Sequence, residues 1–197
     1  MNPRNIWCVG RNYADHAREL GNEVPQKPLI FLKAGSCYTP SDVPLRLPSF
    51  SRDVHHEVEL AVELNQNGGA HRACVALDLT ARDLQAELKK AGQPWTLAKS
   101  FPQACPMGTP FSIESLAELE DLELRLTVNG NLRQHGYIKQ MIFSIPQLVG
   151  YVEAHFPVCP GDWLLTGTPA GVGPLRTNDE VFAEIPGKSQ GRWRVVS

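Results

Sequence analysis

Two glutamates, Glu57 and Glu59, stand two residues apart in the run His-His-Glu-Val-Glu-Leu-Ala-Val-Glu-Leu (55–64). The run alternates as a half-buried strand does. His56, Val58, Leu60, Val62 and Leu64 share one face, and Glu57, Glu59, Ala61 and Glu63 share the other. Carboxylates projecting side by side from a rigid strand repel, and something positive must offset them. Solvation of an exposed face or a pairing with the chain's own cations is one answer; a bound divalent cation is another. A second strand of the same design, Cys-Val-Ala-Leu-Asp-Leu-Thr (74–80), sets Asp78 alone on the polar side of an apolar strand and favours the cation. Three carboxylates, with no Cys or His pairs at zinc spacing, form an all-oxygen donor set that suits Mg²⁺ or Mn²⁺ rather than Zn²⁺.

Other residues could act beside such a centre. His16 and Glu19 lie three apart on a short helix predicted over Ala14 to Leu20 and stopped by Gly21, so they share a face. A carboxylate next to an imidazole orients it and supports its protonated form, as a general base taking a proton from water requires. A surface ion pair is the competing reading. Arg82 and Gln85 repeat the spacing just past Asp78, where an exposed polar face competes. Lys99 sits inside the apolar run Trp95 to Phe101 and either reaches solvent or serves a polar cavity. Behind a strand, Thr166-Gly-Thr-Pro-Ala-Gly-Val-Gly173 offers backbone N–H groups and hydroxyls to an anion, or simply turns. It lacks the Gly-Lys-Ser/Thr ending of a nucleotide loop, so a carboxylate is its expected guest. His56 and the five cysteines (8, 37, 74, 105, 159) read as structural, and His55 as a donor supporting the carboxylates from behind.

The elements that must position these groups are mostly strands. Leu29 to Lys33 reads as one. Thr80-Ala-Arg-Asp83 opens a helix with a threonine cap, buries Leu84 and Leu88, and ends at Gly92-Gln-Pro94. Leu122 to Val128 alternates into an Asn129-Gly130 hairpin turn, with a return from Leu132. Ser144-Ile-Pro-Gln147 starts a helix to about His155. Pro160-Gly161-Asp162 turns into a strand over 163–166, and Glu180 to Ile185 and Arg192 to Val196 form two last strands. The expected fold is mixed α/β and β-rich, in a single catalytic domain spanning 1–197.

Composition narrows the function classes. With 42% hydrophobic and 20% charged residues the chain is globular. A net charge of −2 without a basic run argues against nucleic acid, and no apolar stretch is long enough for a membrane span. The first residues lead straight into a strand-like segment, so no signal peptide is expected. Scattered cysteines without a Cys-x-x-Cys pair fit reduced thiols in a cytoplasm.

Together these motifs resemble the fumarylacetoacetate hydrolase family, in particular its short acylpyruvate hydrolase and oxaloacetate decarboxylase branch. The resemblance rests on Gly10-Arg-Asn-Tyr-Ala-Asp-His16, Pro28-Leu-Ile-Phe-Leu-Lys33, His55-His-Glu-Val-Glu-Leu60, Ala76-Leu-Asp-Leu-Thr-Ala-Arg-Asp83, Pro94-Trp-Thr-Leu-Ala-Lys-Ser-Phe101 and Pro160-Gly-Asp-Trp-Leu-Leu-Thr-Gly-Thr-Pro169. Each stretch is modest alone; the ordered set spans nearly the whole chain. It implies a roll of mixed β-sheets with a few short helices, and a homodimer. It also implies metal ligation by Glu57, Glu59 and Asp78, water activation by His16 and Glu19 on a mobile lid, and Lys99 acting with Arg82, Gln85 and Thr168 on the substrate.

The implied reaction is Mg²⁺- or Mn²⁺-dependent cleavage of a C–C bond in a 2,4-dioxo acid of the acylpyruvate or fumarylpyruvate type. It yields pyruvate and a carboxylic acid, and oxaloacetate decarboxylation would use the same enolate. An isomerase or tautomerase of a small 2-oxo acid is the alternative on the same site. A non-catalytic carboxylate binder is disfavoured, because binding alone needs no base. One departure bears on the rim of the cleft: Asn65 to Ala73 runs almost directly into the second strand, where the family carries a longer segment.

Overall fold

A computed structural model describes residues 3–19, 21, 23–65 and 69–196. The chain begins with β1 (Asn5–Gly10), α1 (Ala14–Glu19), β2 (Leu29–Ala34), β3 (Tyr38–Pro40) and β4 (Leu45–Arg46). Next come β5 (Val54–His56), β6 (Val58–Leu64), β7 (Ala70–Leu77), β8 (Thr80–Ala81), α2 (Arg82–Ala91) and α3 (Thr96–Lys99). The second half holds β9 (Cys105–Met107), β10 (Phe111–Ser112), β11 (Glu123–Val128), β12 (Asn131–Tyr137) and α4 (Ile145–His155). It ends with β13 (Trp163–Leu165), β14 (Gly173–Pro174), β15 (Glu180–Ile185) and β16 (Ser189–Val196). Among the described residues, no helix is long and apolar enough to cross a membrane.

The main sheet runs β2-β1-β13-β6-β7-β9-β3, with β10 added on β7; a second runs β12-β11-β15-β16-β4, and a small third runs β14-β5-β8. Pairing is mixed: β1 with β13 and β3 with β9 are parallel, while β6 is antiparallel to both of its neighbours. Asp162 starts β13 against β1 by accepting hydrogen bonds from the Asn5 amide (3.1 Å) and the Trp7 indole (2.9 Å). Asn129 and Gly130, both with positive φ, make the hairpin turn expected of that pair. Ser144 and Gln147 cap α4 reciprocally.

Two expectations fail here. The 55–64 run is not half-buried. β6 is enclosed on both faces, because β11 packs against it on one side and the polar side closes over an internal cavity. Nor does Thr80 cap α2. It belongs to β8, its hydroxyl donates to the Asp78 carbonyl (3.1 Å), and Ala81 stands at the helix start. Asp83 does the local work instead, accepting from the Leu84 and Arg52 amides, both at 2.9 Å. Leu84 and Leu88 are half-buried against the core, and the residue α2 fully buries is Gln85.

The short 65–73 connection closes a hairpin. β6 and β7 stay in register from Val58 opposite Leu77 to Leu64 opposite Ala70, with one irregularity at Glu63/Leu64. The Asn65 amide donates to the Gly69 carbonyl (3.0 Å). Residues 66–68 of that connection, and Leu20 at the end of the first predicted helix, lie outside the described residues.

Candidate active site

The sheet geometry brings the three carboxylates together. Glu57 occupies the break between β5 and β6, and Asp78 the break between β7 and β8, so both stand where the strand pair leaves the main sheet for the small one. The Asp78 amide donates to the Glu57 carbonyl at 2.9 Å and locks the two breaks side by side. Glu59, on β6, completes a set whose ligand oxygens lie within 4.8 Å of one another. Their exposures are 4%, 1% and 1%.

Buried carboxylates of this density need counter-charge, and the chain supplies it. Lys99, at the end of α3, donates to Glu57 Oε2 (2.9 Å) and Asp78 Oδ2 (2.5 Å). Lys33, fully buried on β2, pairs with Asp78 Oδ1 (2.7 Å) and donates to the carbonyls of Leu79 and Lys99. Arg82 pairs with Glu57 and donates to Gln85 Oε1 (2.7 Å). Three cations therefore face three carboxylates. Burial alone would raise Glu57, but Lys99, Arg82 and His16 hold its carboxyl well below the ordinary range. Glu59 goes the other way: burial, then Asp78 and Glu57, push it well up, opposed chiefly by the Gly167 N–H at 2.6 Å. Burial lowers Lys99, yet Asp78 and Glu57 outweigh it and hold the ammonium charged.

Glu59 is thus a buried carboxylate crowded by two others and short of positive charge. An all-oxygen set in that condition fits a hard divalent cation, with Glu57, Glu59 and Asp78 as its ligands. The donor set does not choose between Mg²⁺ and Mn²⁺.

His16 and Glu19 meet as their spacing predicts, with Nδ1 3.4 Å from Oε2. The imidazole is buried and lines the same cavity as the carboxylates. Burial lowers its pKa from the ordinary 6.5, against upward pulls from Glu57 and Glu19. α1 is fastened at both ends. At its start, the buried Asn12 side chain donates to the carbonyls of Phe143 (3.0 Å) and Thr166 (2.8 Å) and accepts from the Phe143 amide (2.8 Å). At its end, Glu19 accepts the Gly171 N–H (3.0 Å).

The glycine loop serves an anion, but not the one expected. Its Gly167 and Gly171 amides are spent on the chain's own Glu59 and Glu19. Gly167 has φ of 99°, and a Cβ there would lie 2.6 Å from Asn12 Cβ, so only glycine lets the loop approach so closely. Thr168 is the loop residue that faces the cavity, as do Arg82, Gln85 and Lys99. His55 does not support the carboxylates. It turns to Asp53 (Nε2 to Oδ1, 3.1 Å).

Three contributors escape sequence reasoning. Lys33 closes the apolar run Leu29 to Leu32, a signal akin to that of Lys99, but the strand pattern alone gives it no role in the site. Asn12 gave none. Gln134 gave none either, since it sits in the polar-looking hairpin strand β12. It is 1% exposed, accepts from the Val58 amide (3.0 Å), and bonds His56 Nδ1 through the same oxygen (2.9 Å). Its amide donates to Thr168 Oγ1 (2.8 Å) and the Pro169 carbonyl (2.9 Å). That ties the glycine loop to the strand carrying the glutamates. Gln134→Leu is expected to strand these buried partners and lower unfolding stability by about 1–3 kcal/mol, read from a urea melt.

A roll of sheets enclosing an acidic triad, with the buried His16 imidazole paired to Glu19 and facing the same cavity, has the make-up of a metal-binding active site. The chain belongs to the fumarylacetoacetate hydrolase family: residues 5–196 match the family described as fumarylacetoacetate (FAA) hydrolase C-terminal. The mitochondrial oxaloacetate tautomerase FAHD1 of Mus musculus is 46% identical, over 98% of this chain and 91% of the relative. Among solved structures, fumarylpyruvate hydrolase from Pseudomonas aeruginosa, in complex with Mn²⁺ and pyruvate, superposes with a TM-score of 0.93 at 32% identity, covering 98% of this chain and 90% of that one. The 5-carboxymethyl-2-hydroxymuconate delta-isomerase from Mycobacterium smegmatis gives 0.85 at 34% identity, over 100% and 80%.

Proposed function

We propose that this chain is a divalent-metal-dependent enzyme that enolises short 2-oxo acids, with keto–enol tautomerisation of oxaloacetate as its first reaction. The observation that carries this is a buried, neutral-leaning imidazole held by Glu19 over the same cavity as the acidic triad. The likeness to oxaloacetate tautomerases supports it. Mg²⁺ or Mn²⁺ at the triad would supply Lewis acidity to the 2-oxo acid.

The chain's own groups do the rest. With Nδ1 turned to Glu19, Nε2 of His16 is the basic atom. It takes a proton from C3 of the substrate, and the proton is returned at the 2-oxo oxygen, so the atoms balance without a fragment leaving. The Lys99 ammonium offsets the negative charge that builds on that oxygen. Thr168, Arg82 and Gln85 bind and orient the acid.

C–C hydrolysis of a 2,4-dioxo acid is the second reading, supported by the likeness to fumarylpyruvate hydrolase. There His16 would deprotonate water instead of carbon. As in the rest of the family resemblance, we propose a homodimer.

The test is to supply oxaloacetate, acetylpyruvate and fumarylpyruvate, each with Mg²⁺, Mn²⁺ or EDTA, and follow enol absorbance and pyruvate separately. Metal-dependent enol equilibration is expected, with pyruvate arising from oxaloacetate only through slower decarboxylation and not from the dioxo acids. Prompt pyruvate from the dioxo acids would favour the hydrolase, and inertness towards all three would overturn both. The pH profile offers a second check. A base whose pKa is lowered by burial stays neutral below 6.5, so kcat/KM should hold through neutral pH and fall on its acid side at a pH below that value. Because Glu19 raises the imidazole's pKa, Glu19→Gln should move the acid limb to lower pH still.

A further inference from the structure

Gln134, on β12, does not line the cavity, yet its amide can be oriented atom by atom from its buried partners. Its oxygen stands 3.0 Å from the Val58 nitrogen, and a backbone N–H can only donate. The oxygen is therefore the acceptor at this end. His56 Nδ1 lies 2.9 Å from the same oxygen, so it must carry a proton and donate too. At the other end the amide nitrogen faces the Pro169 carbonyl at 2.9 Å, and a carbonyl can only accept. Both ends demand the same orientation, and neither tolerates the flipped amide.

That orientation decides what Thr168 can do. The Gln134 amide nitrogen lies 2.8 Å from Thr168 Oγ1 and donates to it, so the hydroxyl accepts there and its own proton points elsewhere. Among the described residues its one protein acceptor is the Pro169 carbonyl. That oxygen is 3.5 Å away, at the long limit of a hydrogen bond, and it already receives the Gln134 amide. Thr168 is 2% exposed and lines the cavity beside His16, Lys99 and the acidic triad. Its O–H is left for whatever occupies that cavity.

We infer that Gln134 is a positioning residue: with its oxygen pinned by Val58 and His56, it sets the Thr168 hydroxyl as a hydrogen-bond donor to the carboxylate of the bound acid. This rests on the proposed function for placing a 2-oxo acid against Thr168. A hydroxyl turned in advance gives up no orientation when the acid arrives, which is what a preorganised donor contributes. The direction is imposed from outside the cavity, through the strand pair that carries Val58 between the two glutamates.

Gln134→Glu reverses this wiring with almost no change of shape. At about pH 8 the new carboxylate still accepts from Val58 and His56, but its second oxygen now accepts the Thr168 proton and withdraws it from the cavity. Oxalate, a planar acid that cannot react, is titrated by calorimetry into Mg²⁺-saturated protein for the native chain, Gln134→Glu, Thr168→Val and the double variant. A separate Mg²⁺ titration shows that each variant is folded. Each single change should weaken oxalate binding about tenfold or more, the worth of a hydrogen bond to a charged group. The double variant should bind within about twofold of Thr168→Val, because a donor already removed cannot be redirected. Native affinity in either single variant overturns the inference, and Thr168→Val decides it alone if Gln134→Glu does not fold. Losses that multiply in the double variant overturn it as well, since the new charge then acts by repulsion. Failure of the native, Mg²⁺-saturated chain to bind oxalate overturns instead the reading on which the inference rests.

Discussion

His16→Ala is expected to slow oxaloacetate enolisation, and any dioxo-acid hydrolysis, by about 10²–10⁴-fold, the usual worth of a positioned general base. Decarboxylation of oxaloacetate should fall no more than a few-fold. That reaction breaks the bond to the departing carboxyl group and needs neither a proton taken from C3 nor an activated water, only an environment that accepts the enolate's charge. The substitution leaves Glu19 on the Gly171 amide and Asn12 on Phe143 and Thr166, so α1 keeps both anchors. A loss therefore reports the imidazole rather than a displaced helix. Measuring the three rates on one preparation decides the matter. Equal losses in all of them would mean that His16 only shapes the cavity.

The second large effect concerns stability. Asp78→Asn keeps the shape of the side chain but removes the charge shared by Lys33 (2.7 Å) and Lys99 (2.5 Å), both essentially excluded from water. Breaking a buried ion pair from one side typically costs about 3–5 kcal/mol, because the stranded charge has no solvent to turn to. Against a total of about 5–15 kcal/mol for a domain, that is a large fraction. A urea melt in EDTA should show it without any contribution from metal. Lys33→Met added to Asp78→Asn should recover part of the loss, since it removes the ammonium group left without a carboxylate, whereas Lys99 keeps Glu57 (2.9 Å). A drop under about 1 kcal/mol for Asp78→Asn would mean that the lysines find other partners, and that the charge balance drawn above is wrong.

What the sequence revealed, and what it hid, follows from the range of each interaction. Glu57 with Glu59, His16 with Glu19 and Arg82 with Gln85 were legible because spacings of two and three fix a shared face locally. Asp78 was legible as a lone charge in an apolar strand. The strand period, however, only says that two faces differ, and cannot say what covers each of them. That is why β6 was expected to have an outer face and has none. Thr80 carried a capping signal that lost to pairing between β8 and β5. Gln134 and Asn12 were invisible because their partners lie far along the chain, 76 residues away for the Val58 amide and 131 for Phe143. An amide in a polar hairpin gives no hint of a distant turn that needs it.

The loop from Gly167 to Gly171 gives one hand to Glu59 and the other to Glu19. The carboxylate at the floor of the cavity and the end of α1 thus hang from one four-residue span of backbone, and a side chain introduced at Gly167 is expected to disturb Glu59 and Glu19 together.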